Sequence, residues 1–174
     1  YVKNALQQEN KYYFEEKRAI KIILQVINGI SYCHSKNIYH RDIKLENILI
    51  NENDVVKIID FGFAIKCNKD TYNKLLCGTP SYMPPEIVNK QKYIAQYSET
   101  WSLGVLFYAM LFGRFPFKGE DEDSLFQSIN NAQLNFPSNI TINTGIIDIF
   151  RRIFVITPNE RPSLEEIKND LLNI

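Results

Sequence analysis

The chain has 174 residues, 45% of them hydrophobic, which is enough for one proper core and too few for two typical domains and a linker. Lys and Arg together number 20 and balance 20 Asp and Glu, so no charged surface for nucleic acid or an acidic membrane is indicated. Cys33, Cys67 and Cys77 show no metal-ligand spacing and leave an odd count, which points to a reducing, intracellular and cytoplasmic setting and not to a disulfide scaffold.

Lys3, Glu9, Lys11, Glu15 and Glu16 interrupt any apolar run near the start, so no signal peptide is expected, and the opening at Tyr1 without methionine suits a piece of something longer. Ile20, Ile23, Leu24, Ile27, Ile30 and Cys33 recur at three- and four-residue spacing and predict a long helix over 15–34 with one buried face. The polar run His40-Arg41-Asp42-Ile43-Lys44-Leu45-Glu46-Asn47 follows it. Ile48-Leu49-Ile50 and residues 55–59 then read as two short strands, joined by a turn at Asn53-Asp54 and ending at Asp60-Phe61-Gly62. Such a hairpin brings the two polar motifs together.

Further along, Ser98-Glu99 precedes a stretch over 101–112 whose apolar residues occupy every side of a helical wheel, so this helix is expected to be buried all round and stopped by Gly113. Its apolar run over 103–112 is well short of the roughly 20 residues that cross a bilayer. Amphipathic helices are expected near 124–131 and 144–154. A last helix should be capped by Ser163, with Glu166 completing a capping box, and run to about Leu172. The fold class is therefore mainly α with a small β-hairpin region, one domain over 1–174, with no repeat and no low-complexity linker.

Each polar group in the two motifs suits one demand of phosphoryl transfer: an aspartate to take a hydroxyl proton, an asparagine and a second aspartate to hold a hard cation, and a lysine to meet phosphate charge. An ordinary surface turn or helix N-terminus accounts for one of the motifs at most. Together they resemble the catalytic loop and magnesium-binding motif of protein kinases. The order of elements is similar to the larger, C-terminal lobe of that fold, over nearly the whole chain.

The resemblance implies a serine/threonine kinase region that uses ATP and Mg2+. It makes Asp42 the catalytic base, with Lys44 at the transferred phosphate and Thr79 bonded to both; Lys44 also points to serine or threonine as acceptor. It assigns Lys44, Glu46, Asn47, Leu49 and Asp60 to the nucleotide side, Asn47 and Asp60 as the metal ligands, and Leu49 as the floor under adenine, stacked on Leu106 and Met110. His40 and Phe61 become packing residues of a hydrophobic spine. The segment Cys77-Gly78-Thr79-Pro80-Ser81-Tyr82-Met83-Pro84-Pro85-Glu86 looks like the end of an activation segment with its peptide-docking loop. Leu76, Pro80 and Met83 would line an apolar pocket for the substrate residue after the phosphosite, and exposed Glu46 would favour basic residues before it. Glu86 should pair with Arg161. The partners implied are protein substrates, with no nucleic acid and no membrane; the activation-segment wording resembles the calmodulin-dependent and AMP-activated kinase group.

Several positions depart from the family pattern. Pro84 stands in place of alanine, and Glu99 in place of the aspartate that ties the central helix to the catalytic loop, where its extra methylene is expected to weaken the tie. Leu75 occupies the usual phosphothreonine position, which leaves Arg41 without a phosphate partner and Thr71 or Tyr72 as substitutes. No glycine-rich phosphate loop, strand lysine or helix glutamate precedes the catalytic loop, so the N-terminal lobe is absent from this stretch, which alone should bind nucleotide weakly and turn over slowly or not at all. A non-catalytic pseudokinase scaffold and a small-molecule phosphotransferase are the alternatives. The four intact polar residues weigh against the first and the docking segment against the second.

Overall fold

Two long helices organise the fold, and the two polar motifs are carried on short irregular segments laid across them. In a computed structural model, residues 13–138 and 140–174 are described. Lys3, Glu9 and Lys11, used above against a signal peptide, lie outside the described residues. In chain order the elements are α1 (Glu16–Ser35), β1 (Ile38–Tyr39), β2 (Ile48–Ile50), β3 (Val56–Ile58), β4 (Ile65–Lys66), β5 (Tyr72–Asn73), α2 (Pro85–Val88), β6 (Tyr93–Ile94), α3 (Ala95–Phe112), α4 (Glu122–Asn131), α5 (Thr144–Ile153) and α6 (Leu164–Leu172). The strands pair only two by two, all antiparallel: β1 with β4, β2 with β3, β5 with β6. Among the described residues no helix is long and apolar enough to cross a membrane.

The predicted first helix forms within a residue of its expected ends, but its buried face is turned from the predicted stripe. Ala19, Ile22, Ile23, Val26, Ile27 and Ile30 are buried, while Ile20, Leu24 and Cys33 are only partly so. The buried residues form a three-four stripe of their own, rotated from the predicted one, and the helix packs on β1, β3, α3 and α6.

α3 is buried on every side, as its composition requires, and Gly113 ends it in the left-handed conformation at φ 63°. Of the last carbonyls left open by the helix, that of Ala109 accepts from Gly113 N–H and that of Met110 from Phe14 N–H. Midway, Gly104 lets α5 come close: a β-carbon there would stand 2.5 Å from Ile153 and 3.1 Å from Phe154. The aromatic cluster of Trp101, Phe117, Phe150 and Phe154 fills the space between the two helices, with Trp101 and Phe117 stacked at 5.3 Å. α4 starts at a capping box between Asp121 and Ser124, α5 at Asn143, and α6 at the expected Ser163–Glu166 box.

The start of α3 lies well before the expected one. Ser98, read as preceding the helix, is inside it, its hydroxyl donating back to the Ala95 carbonyl at 3.0 Å. Pro84 precedes the short helix α2 in extended conformation, with Pro85 in its first turn, where a missing N–H costs no bond.

Candidate active site

The hairpin β2–β3 determines where the two polar motifs meet. Its register sets Ile48 opposite Ile58, and Ile59 N–H extends the ladder by donating to the Asn47 carbonyl at 2.9 Å. Asn47 and Asp60 therefore leave the same end of one hairpin. The turn at the other end is built by Asn51, whose side-chain oxygen accepts from the N–H groups of Asn53 and Val55, with Asp54 left-handed at φ 58°. Asp54 then pairs with Arg18 and Lys21, which fastens the hairpin to α1.

Along β2, Ile48 and Ile50 join the large core that also holds Leu106 and Met110, whereas Leu49, between them, takes the hairpin's other face. The apolar column onto Leu106 and Met110 thus begins at Leu49's neighbours.

The loop over residues 40–47 is held from both sides. The His40 ring accepts from Asp42 N–H at Nδ1, 3.2 Å, so the proton sits on Nε2, which donates to the Ile59 carbonyl at 2.9 Å. That neutral ring links the loop to the residue before Asp60, and Phe61 packs edge-on against it at 4.7 Å. Phe61 remains 45% exposed on its other side. Arg41 has φ 65°, a costly conformation for a side-chain-bearing residue, and Glu99 Oε1 accepts its N–H at 2.7 Å. The tie expected to be weak is well formed. The extra methylene lets the second carboxylate oxygen meet His34 Nε2 at 2.5 Å, so Glu99 joins α1, α3 and the loop. Close by, burial with the Glu99 carboxylate adding to it raises the pKa of the Cys33 thiol.

Asp42 is 5% exposed and its carboxylate is fully engaged. Lys44 Nζ stands 2.7 Å from Oδ2, and Asn47 Nδ2 donates to the same oxygen at 3.1 Å and to the Asp42 carbonyl at 2.8 Å. Thr79 Oγ1 accepts from Lys44 at 2.9 Å and donates to Asp42 Oδ1 at 3.1 Å, the triangle that the resemblance implied. Since Asn47 spends both donors on Asp42, its Oδ1 faces away from them, and no described residue donates to it. Asp60 is exposed and left-handed at φ 63°, with Oδ1 accepting only the Gly62 N–H at 3.2 Å. Two oxygens thus remain available for a hard cation. Among the described residues no group of three or more His, Cys, Asp or Glu could hold a metal by itself, so a cation here would draw further oxygens from water or phosphate, as magnesium does.

The segment carrying Thr79 is fastened beyond it. Tyr82 is buried, its hydroxyl accepting Leu45 N–H at 3.2 Å and its carbonyl accepting the Ser102 hydroxyl at 2.9 Å. Burial, with the Glu46 and Asp42 carboxylates adding to it, pushes its phenol far above the ordinary range. Glu86 and Arg161 form the expected pair, a buried bidentate contact with both N–O distances at 2.7 Å. Of the three residues expected to form an apolar pocket, Leu76 and Pro80 are exposed, while Met83 turns inward and packs on the large core and on a smaller cluster of Tyr39, Ile87, Tyr93 and Ala95. Glu46, next to Asn47 in the chain, is exposed. Cys33, Cys67 and Cys77 are all free thiols. His34, Asn51 and Tyr82 carry structural duties that the sequence reading missed. Asn51 alone had a local signal, an Asx residue at the end of a strand.

A family model described as "Protein kinase domain" matches residues 2–172. Over 156 residues, 90% of this chain, the sequence is 37% identical to "Aurora kinase" of Dictyostelium discoideum. It is 36% identical over 157 residues, again 90%, to "Probable serine/threonine-protein kinase MARK-C" of the same organism. It is 35% identical over 154 residues, 88%, to "NUAK family SNF1-like kinase 1" of Homo sapiens. The chain spans 40%, 20% and 23% of those relatives' own lengths. Identities this similar across differently named relatives do not separate one subgroup from another.

Proposed function

The chain belongs to the protein kinase domain family, and on that premise we propose that it is the C-terminal lobe of a serine/threonine protein kinase, transferring the ATP γ-phosphate to hydroxyls of protein substrates. The observation that carries this reading is the Asp42, Lys44 and Thr79 triangle beside the available oxygens of Asn47 and Asp60.

Asp42 orients the acceptor hydroxyl and takes its proton as the bond to phosphorus forms. Lys44, fixed by Asp42 and Thr79, directs its charge to the phosphate oxygens where negative charge develops. Asn47 Oδ1 and the Asp60 carboxylate would hold Mg2+, which when bound neutralises phosphate charge and orients the nucleotide. Leu49, on the hairpin face turned away from the core, offers an apolar surface to adenine, and Glu46 favours a basic residue before the phosphosite. This stretch carries neither a glycine-rich loop nor a strand lysine, so taken alone it is expected to bind nucleotide weakly and to turn over slowly or not at all. Three free cysteines support a reducing, intracellular compartment.

The test uses the full-length gene product with labelled ATP and a serine/threonine peptide library. Asp42→Asn is expected to lower the rate by roughly 10²–10⁴, the usual size of a general-base contribution. Asp60→Ala should abolish the magnesium-dependent thermal stabilisation by ATP. Wild-type turnover in Asp42→Asn would refute the assignment.

A further inference from the structure

Leu75 stands where a phosphorylated residue would neutralise Arg41, and part of the Arg41 guanidinium is engaged by neutral oxygens instead. Its Nε donates to the Phe63 carbonyl at 2.7 Å, and its Nη1 stands 3.5 Å from the Tyr93 hydroxyl, the long limit of a hydrogen bond. Among the described residues no carboxylate pairs with it. Tyr93 is 2% exposed and its hydroxyl donates to the Leu75 carbonyl at 2.9 Å. The Leu75 residue is 62% exposed overall, so it is the backbone at this position that is gripped.

The grip continues along the chain. β5 of the activation segment pairs with β6, with Asn73 opposite Tyr93 and Tyr72 opposite Ile94. Side chains alternate across a strand, so Asn73 and Tyr93 share one face and Tyr72 takes the other. Asn73 is buried, whereas Tyr72 is 66% exposed. A phosphate on Tyr72 would therefore point away from the face that holds Tyr93 and Arg41. Burial pushes the Tyr93 phenol up to about 12, with the Arg41 contact opposing, so it stays a donor at any working pH.

We propose that the activation segment of this kinase is docked without phosphate, by a clasp in which Tyr93 joins the Arg41 guanidinium to the Leu75 backbone. This rests on the kinase reading above. Tyr93 acts as a positioning residue: it touches no reacting group but holds the strand that leads through Cys77 and Gly78 to Thr79. Peptide substrates are thus admitted by the unphosphorylated enzyme.

The experiment compares phosphatase-treated full-length protein with its Tyr93→Phe variant, which keeps the ring among Tyr39, Ile87 and Ala95 and removes only the hydroxyl. Hydrogen exchange over residues 71–79 and peptide and ATP kinetics are read together. Protection of 71–79 in the dephosphorylated wild type is expected. Tyr93→Phe should speed exchange there and raise peptide KM, each roughly three- to tenfold, the size of one lost hydrogen bond. KM for ATP and exchange in α3 should stay unchanged. A ring needed only for packing would leave all of these at wild-type values and overturn the clasp, as would protection that requires phosphorylation of the segment. If the exchange contrast holds and no peptide is phosphorylated, the clasp stands and the kinase assignment falls.

Discussion

Arg161 offers a sharp test of how this fold is held, because all five of its guanidinium N–H groups are committed. Two meet Glu86 at 2.7 Å, and the others meet the carbonyls of Val155, Tyr97 and Ile156 at 3.1, 3.1 and 3.3 Å. Its carbon centre also lies 4.9 Å from the Trp101 ring. The two side chains are 0% and 3% exposed, so water cannot replace a lost partner. Arg161→Ala leaves a buried carboxylate unpaired and three carbonyls without donors, and should cost about 3–5 kcal/mol. A domain of this size is stable by about 5–15 kcal/mol, so the loss takes a third or more of the total in most cases. Glu86→Gln should cost less, since the guanidinium keeps three carbonyl acceptors and an amide oxygen. Arg161→Lys should fail to restore stability, because a point charge cannot replace the fork. Urea denaturation followed by far-ultraviolet circular dichroism measures each variant. The double variant Glu86→Ala/Arg161→Ala should be more stable than the two single losses added together, by at least about 1 kcal/mol, since it removes both buried charges. A single loss below about 1 kcal/mol, or strict additivity, would refute the reasoning that an unpaired buried charge dominates.

Glu99→Ala removes the acceptor that holds Arg41 N–H in its left-handed conformation and also the His34 partner. It should destabilise the protein by about 1–3 kcal/mol and lower kcat with little change in KM for ATP, as steady-state kinetics and denaturation would show. Glu166 has its carboxyl held below the ordinary range by hydrogen bonds from the Ser163 hydroxyl and N–H. A depressed folded-state value means that the contribution is fully present above the unfolded value and is lost as pH falls through the folded one. Glu166→Gln should therefore be less stable than wild type near neutral pH, and the gap should close in acid below roughly pH 4, as a pH series of thermal melts would read.

Local chemistry made the helix caps legible. Ser163 with Glu166 is a pattern whose donors and acceptors lie within one turn, and it formed as expected. The triangle of Asp42, Lys44 and Thr79 was legible only through resemblance, since nothing near Thr79 in the sequence points to Asp42. The start of α3 was missed because residues 95–100 carry no apolar stripe. Ser98 and Thr100 are satisfied inside the buried helix because each hydroxyl donates to a backbone carbonyl three or four residues earlier. Glu99 was read as a weakened tie because its second partner, His34, is 65 residues away and has no sequence pattern of its own. Tyr93 was invisible for the same reason: its partners lie 18 and 52 residues distant.

The misses and the successes share a cause in how the site is assembled. Thr79 and Glu86 sit at the two ends of one strap, which is fixed at one end to Asp42 and Lys44 and at the other to Arg161. Between them Tyr82 bonds the loop over residues 40–47 through Leu45 and the central helix through Ser102. α3 also supplies Glu99 to the loop, Tyr97's carbonyl to Arg161 and Trp101's ring beneath it. Loop, strap and the chain's last third are thus each referenced to one helix buried on all sides, whose own position is fixed by packing at crystal-like density. A displaced α3 would move Asp42 and Thr79 together, so the distance between them is protected better than either residue's place in the molecule. The proposed phosphoryl transfer would depend most on that relative geometry, since positioning and electrostatics supply most of the catalysis in such reactions.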